Sequence, residues 1–363
     1  MNDAQTRKAT ETMSAELQAD PVTVPDHTAI EAAAARIAGW VRRTPLLEVQ
    51  APSGGTLELK LECLQVSGTF KARGAFSRLI RARERAMTLG ETPPDSVVAA
   101  SGGNHGIAVA LAARHLGWKA EIFVPRTAPQ AKQARLRALG ARVHAVGEEY
   151  AEALAAAQEF VARTGALSSH AYDQYDTLAG QGTVAREWLQ QGEPATRWLV
   201  AVGGGGLIGG MAAWLEACAL RQAQQTPQGE SPPRLPRLPQ LIAVESQGCP
   251  TLHSALQAGE PLDIQPQGLA ADALGARRVG AGVFALRHRI ANSVLVSDED
   301  IAAAQVWLWQ QARIATEPGG ATALAAVLGG QVPLKSGERI GVLVCGANVD
   351  PAALADRLAE YQK

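Results

Sequence analysis

Four short stretches of this chain carry residue types that could do chemistry. In "SGTFKARGAF" a single lysine, Lys71, stands among glycine and apolar residues. A lysine reacts as an amine only if it sheds its proton near neutral pH, and apolar neighbours or a nearby cation promote that. Phe70 and Ala72 offer the apolar surroundings and Arg73 the cation. Taken alone the signal is weak, since most lysines so placed are surface charges at a helix end. In "SGGNHGIAVA" the residues Ser101, Gly102, Gly103 and Asn104, with His105 after them, lie between a strand pattern and a helix pattern. Unpaired amides and the positive helix end gather at such a turn, which suits a carboxylate or a phosphate, although an ordinary Asn-capped turn has the same letters. In "VGGGGLIGG" the run Gly203, Gly204, Gly205, Gly206 precedes a helix from Leu207, so several amides can converge on one phosphate without Cβ clashes. No Gly-Lys-Ser/Thr follows, and no acid ends a strand about twenty residues on, so neither a P-loop nor a dinucleotide fingerprint is present. In "GVLVCGANVD" four apolar residues deliver Cys345 to the carboxyl end of a buried strand, where open α/β sheets hold ligands. As a bare residue it is also simply a small hydrophobe.

The elements that must position these residues alternate. "TAIEAAAARIAGWV" begins with Thr28 and has Glu31 three residues later, which predicts a capping-box helix start. "RTPLLEV" and "LELKLEC" are short strands around a turn at Ser53, Gly54 and Gly55. Strands "SVVAAS", "AEIFVP" and "RVHAVG" then alternate with amphipathic helices, which predicts βαβ units around a parallel sheet. After about residue 170 a second α/β region follows, with strands "RWLVAV", "QLIAVES" and "RIGVLVCG" and helices at about 207–222 and 299–314.

The chain has 363 residues, 47% of them hydrophobic, enough for one large or two medium domains. With 34 basic against 35 acidic residues, no global field draws it to nucleic acid or an anionic membrane, which points to a small-molecule partner. Cys63, Cys218, Cys249 and Cys345 are widely spaced, as expected of reduced thiols in a cytoplasm rather than of a zinc site or a disulfide framework. Residues 1–25 read as a disordered polar lead without a signal peptide's apolar core. Trp198 to Leu215 carries no charge and is about long enough to span a bilayer, but a strand, a glycine turn and a helix account for it better. The Pro- and Gln-rich segment from Arg221 to Gln240 reads as a surface loop.

A phosphate cradle, an anion-binding turn, a reactive-lysine candidate and a strand-end thiol suit one ligand, pyridoxal 5'-phosphate. Together these stretches resemble the fold-type II pyridoxal-phosphate enzymes, and within them the serine/threonine dehydratase and serine racemase family. The resemblance rests on Thr69-Phe70-Lys71-Ala72-Arg73-Gly74-Ala75, residues 101–106, the glycine run 203–206 and residues 345–348. Arg43-Thr44-Pro45-Leu46, Gly180-Gln181-Gly182-Thr183 and Glu317-Pro318-Gly319 support it. It implies an α/β fold of two open twisted parallel-sheet domains flanked by helices, similar to the tryptophan synthase β subunit. The larger domain would hold residues 26–68 and 171–363, the smaller one 69–170. Lys71 would form the covalent link to the cofactor, and the amides of Gly203 to Leu207 would hold its phosphate. Asn104 would bond the ring oxygen, Phe70 would pack on the ring, and Cys345 would face the ring nitrogen. Amides around Ser101, Gly102, Asn104 and His105 would grip the substrate carboxylate.

The implied reaction is β-elimination of water from a 3-hydroxy amino acid, L-threonine or L-serine first, to a 2-keto acid and ammonia. A bulkier or acidic substrate (phenylserine, hydroxyaspartate), a β-replacement transferase and a non-catalytic cofactor-binding protein are the alternatives. Gly102 stands where serine racemases of the family carry an acidic-proton Ser, which disfavours racemisation. Asn104-His105-Gly106 differs from the Asn-Thr-Gly of cysteine synthases. The family's cation site would use Glu245 with an acid six residues on, but that position is Thr251, so no metal is expected and Glu245 is a weak candidate. At Ala171-Tyr172 many relatives have Pro and another side chain, so Tyr172 is expected to reshape the side-chain pocket. A cytoplasmic homodimer without a regulatory domain is expected by the same resemblance.

Overall fold

The computed structural model describes residues 23–225 and 237–361. The polar lead up to residue 22 and most of the connection between Arg221 and Gln240 lie outside them.

The alternating pattern builds two sheets. Strands β3 (Ser96–Ala100), β4 (Lys119–Val124), β5 (Arg142–Ala145) and β6 (Leu167–Ser168) form a four-stranded parallel sheet in the order β5-β4-β3-β6. Side chains alternate across its faces as a strand requires. Val97 and Ala99 pack with Phe76, Leu79 and the Ala-rich helix that starts at Asn104. Val98 and Phe123 pack on the other face with Ala153 and Ala157. The second sheet has the order β1-β2-β10-β7-β8-β9, with β1 (Leu46–Gln50), β2 (Thr56–Lys60), β7 (Arg197–Ala201), β8 (Gln240–Ser246), β9 (Ile290–Val296) and β10 (Arg339–Leu343). Only β1 runs antiparallel, because the tight turn at Ser53 to Gly55 returns the chain directly beside β2. The large core under this sheet includes Trp188 and Trp198, stacked with ring centroids 4.1 Å apart.

Three helices carry the site and meet through glycine. Helix α2 (Lys71–Leu89) crosses α6 (Tyr175–Leu189), which crosses α7 (Gly206–Gln225). A Cβ on Gly180 would lie 2.5 Å from the Arg73 carbonyl oxygen, and one on Gly210 would lie 2.5 Å from that of Leu178. The absence of side chains there lets the backbones touch and fixes α2 against the larger core.

Two helix boundaries differ from the sequence reading, and the apolar run of membrane length resolves as that reading expected. The first helix, α1 (His27–Ile37), is capped by Asp26, whose carboxylate accepts the Ala29 amide at 2.8 Å; Thr28 lies inside the helix. A short acceptor one position before the first helical residue captures the free amides before Thr28 can. The apolar run from Trp198 to Leu215 is β7, the glycine turn and the start of α7, and among the described residues no helix is long and apolar enough to cross a membrane. The helix expected to 314 is α-helical only over Asp298–Trp307, then widens into a π turn, Leu308–Ala312, closed by Arg313 at φ 56°.

Candidate active site

Lys71 is the first residue of α2. The approach to it is tied down: Thr69 pairs with Gly346, and the Phe70 amide donates to the Cys345 carbonyl at 3.2 Å. The Lys71 amine turns inward, donates to the Ala171 carbonyl at 2.7 Å and lies 5.0 Å from the Phe70 ring centroid. Burial pushes its pKa down to about 8, against the opposing influence of Cys345 and Glu317. The positive end of α2 acts in the same direction as burial.

Arg73 is not the cation that acts on Lys71. Its guanidinium faces away and holds Glu62 with two bonds, at 2.9 and 2.7 Å, and Glu187 at 3.0 Å. Lys60 completes this buried group by donating to Glu187 at 2.6 Å and to the Thr44 carbonyl at 2.8 Å. The cluster locks the first turn of α2 to β2 and α6.

One cavity gathers Phe70, Lys71, Asn104, Gly203, Gly204, Gly205, Gly206, Leu207 and Cys345, with Glu317, Gly319 and Leu274 completing its wall. Three of these segments follow the carboxyl ends of β3, β7 and β10, where ligands of open α/β sheets lie. The glycine run turns through Gly205 at φ +84° into α7. A Cβ on Gly203 would meet the Leu274 carbonyl at 2.6 Å, and one on Gly204 would meet the Tyr172 ring at 2.3 Å. Only bare backbone fits, which leaves the first amides of α7 to face an anion. Tyr172 therefore packs on the glycine run, with its hydroxyl on the Arg278 carbonyl at 3.1 Å, and is not part of the cavity wall.

Asn104 starts helix α3 (Asn104–Leu116) and is fixed at both ends of its amide. Its nitrogen donates to Glu317 Oε1 at 2.6 Å, and its oxygen accepts from the Asn348 amide at 2.7 Å. Burial pushes the Glu317 carboxyl up to about 7. Cys345 is buried, its thiol donates to the Gly319 carbonyl at 3.2 Å, and burial pushes its pKa up, so it stays neutral. Sequence reasoning gave no role to Glu317 or Asn348. The available signal was an acid immediately before a helix-starting Pro, and an Asn directly after the strand-end Cys-Gly-Ala.

Ser101 and Gly102 line the turn before α3, which is so tight that a Cβ on Gly106 would sit 2.0 Å from the Ser101 carbonyl. The His105 side chain is directed elsewhere. It is buried in the smaller sheet's layer, its Nε2 lies 3.0 Å from the Ser169 carbonyl, and burial takes its pKa down to about 3. Only its backbone amide remains available to the turn. Glu245 is fully buried, and its carboxylate accepts the Leu252 and His253 amides at 2.8 and 2.7 Å, capping helix α8 (Thr251–Ala258). Thr251 donates to Glu245 at 3.1 Å and to the Gly203 carbonyl, joining that cap to the glycine run. Among the described residues no cluster of three His, Cys, Asp or Glu side chains could hold a metal.

These residues fit pyridoxal phosphate: a desolvated primary amine, a side-chain-free loop at a helix start for a phosphate dianion, and buried neutral donors between them. Comparisons with known proteins agree. The model of the family described as "Pyridoxal-phosphate dependent enzyme" matches residues 37–346. The chain is 35% identical over 345 residues to the phenylserine dehydratase of Ralstonia pickettii, covering 94% of this chain and 98% of that one. It is 32% identical to the L-threonine ammonia-lyase of Thermotoga maritima, covering 82% of this chain and 68% of the relative. Among solved structures, maize serine racemase superposes with a TM-score of 0.80 at 30% identity, covering 94% of this chain and 98% of that one. The threonine deaminase of T.th. gives 0.76 at 32% identity, covering 90% and 99%. With a desolvated lysine, a bare glycine cradle and a family match across most of its length, this chain belongs to the pyridoxal-phosphate dependent enzymes.

Proposed function

We propose that this chain is a dehydratase that eliminates water from a 3-hydroxy amino acid, with L-threonine and L-serine as the first substrates to test, releasing a 2-keto acid and ammonia. The observation that carries the proposal is the convergence of the Lys71 amine, the Gly203–Leu207 run, Asn104 and Cys345 on one cavity.

Lys71 would hold the cofactor covalently, Gly203 to Leu207 its phosphate, Asn104 its ring oxygen, Phe70 one ring face and Cys345 the side of the ring nitrogen. Bound there, pyridoxal phosphate supplies an electron sink that weakens the bond between Cα and its hydrogen. Amides of the Ser101 to His105 turn orient the substrate by its carboxylate. Once the substrate's own amine has taken its place on the cofactor, the freed Lys71 amine, with a pKa near 8, would be in part uncharged at neutral pH and could take the Cα proton. Its hydrogen bond to Ala171 aims the nitrogen. Loss of the hydroxyl as water leaves an enamine, which hydrolyses to the keto acid and ammonia. Glu317 and Asn348 hold Asn104 in place, and the neutral Cys345 thiol gives a ring nitrogen no counter-charge. Without that counter-charge the ring would draw less charge from Cα, which would favour prompt elimination over transamination.

The division into a smaller domain at 69–170 and a larger one at 26–68 and 171–363 belongs to this reading and is supported by the four-stranded sheet lying within Ser96–Ser168. So do a homodimer and a reducing, cytoplasmic setting, the latter in keeping with four free cysteines. The test is a keto-acid and ammonia assay over L- and D-serine, threonine, hydroxyaspartate and phenylserine, with Lys71→Ala as control. Release from at least one hydroxy amino acid that disappears in the control is the expected result. Visible cofactor absorption without release from any of them would favour the transferase or the non-catalytic reading.

A further inference from the structure

A second cavity, of about 260 Å³, lies behind the carbonyl that receives the Lys71 amine. Ala171 lines it on that side, His105 lines it beside the anion-binding turn, and Leu154, Ala157 and Val161 of helix α5 (Tyr150–Thr164) form the wall opposite. The space thus borders Ala171, which holds the Lys71 amine, and His105, which follows the anion-binding turn.

We infer that this cavity receives the side chain of an aryl-bearing 3-hydroxy amino acid. The inference rests on the proposed reaction and names its substrate class. Size is the first argument: an apolar cavity of ~150 Å³ already takes up benzene, so this one accepts a phenyl ring and leaves a threonine methyl loosely surrounded. Chemistry is the second. Several polar atoms on the lining are already engaged by the chain: His105 with the Ser169 carbonyl at 3.0 Å, the Ser169 amide with Val98 at 2.9 Å, and His170 Nδ1 with the Asp173 amide at 3.0 Å. The apolar wall is formed by Leu154, Ala157 and Val161, with Tyr150 and Gln158 the polar side chains beside it. Charge is the third. No Lys or Arg lines the cavity, and burial holds both His105 and His170 toward the uncharged form, so a β-carboxylate such as that of hydroxyaspartate finds no partner. The His170 ring, which lines the cavity, is itself braced edge-on against Tyr172 at 4.6 Å.

The test uses the holoenzyme and two amino acids that have no β-leaving group, L-phenylalanine and L-alanine, titrated by the change in visible cofactor absorption. Phenylalanine should bind at least about tenfold more tightly than alanine, the discrimination an apolar pocket gives for a few carbon atoms. Val161→Trp, which fills the space, and Leu154→Ser, which makes it polar without adding volume, should each bring that ratio to within about threefold. A wild-type ratio near one, or a preference that neither variant moves, would overturn the inference. If the preference stands and follows the variants while no hydroxy amino acid yields keto acid, the reaction reading fails and the subsite survives.

Discussion

Lys60, at the end of β2, and Lys71, at the start of α2, both have amines withdrawn from water, and the chain treats them differently. Lys60 is wholly buried and sits in a cluster of two cations, itself and Arg73, and two acids, Glu62 and Glu187, with the Thr44 carbonyl and Gln191 filling its remaining bonds. Lys71 has one neutral acceptor, the Ala171 carbonyl, and its acidic neighbours Glu317 and Cys345 are both pushed toward their protonated forms by burial. Burial lowers the pKa of both amines. Only Lys60 has a carboxylate in bonding range, that of Glu187 at 2.6 Å, to hold the proton on. A buried lysine with counter-charge is a strut, and one without is a nucleophile and base.

The largest effect that separates the two concerns turnover. Lys71→Ala should lower keto-acid release by about a thousandfold or more, whereas Lys60→Met should stay within about tenfold of wild type, read by steady-state kinetics. Stability should rank them the other way. Lys60→Met leaves a buried excess of negative charge and should cost about 3 kcal/mol in urea unfolding of the cofactor-free protein.

Glu317 sharpens the contrast, because its neutrality is what leaves Lys71 without a counter-ion. Its folded pKa, about 7, lies above the ordinary 4.5, so its contribution to stability is present below pH 4.5 and is lost as pH rises through 7. Glu317→Gln should accordingly gain about 2 kcal/mol over the wild-type cofactor-free protein at pH 8.5 and almost nothing at pH 4.5. An equal gain at both pH values would mean that Glu317 is ionised in the fold. The smallest effect is on Lys71 itself. Its folded pKa, about 8, lies below the ordinary 10.5, so the protonated amine destabilises the fold at pH 7 and that penalty fades as pH rises through 8 to 10.5. Lys71→Met should stabilise the cofactor-free protein by about 1 kcal/mol at pH 7 and not at pH 10.5, opposite in sign to Lys60→Met.

Much of this was legible in the letters because local segments carry it. The alternation around "SVVAAS" and "AEIFVP" led to the parallel sheet, and the four consecutive glycines are the backbone-only turn of the site. Contacts made across the fold were not legible. Arg73 looked like a partner for Lys71 because the two are close in the chain, but two residues along a helix are about half a turn, which directs their side chains apart, and Glu62 and Glu187 claim the guanidinium. Glu317 and Asn348 meet Asn104 from more than two hundred residues away, so no spacing rule could join them. Strand β9 was missed since Asn292 and Ser293 interrupt its apolar pattern at a partly exposed sheet edge. The Asp26 cap was overlooked because Thr28 and Glu31 imitate a capping box two residues later.

The central claim, that desolvation makes Lys71 the residue that bonds to the cofactor, is tested most directly by reducing the holoenzyme with borohydride and mapping the pyridoxyl group by peptide mass spectrometry. The account predicts the added mass on Lys71 alone, with none on Lys60. A pyridoxyl group on any other lysine, or a holoenzyme that retains its cofactor yet yields no labelled peptide, would contradict it.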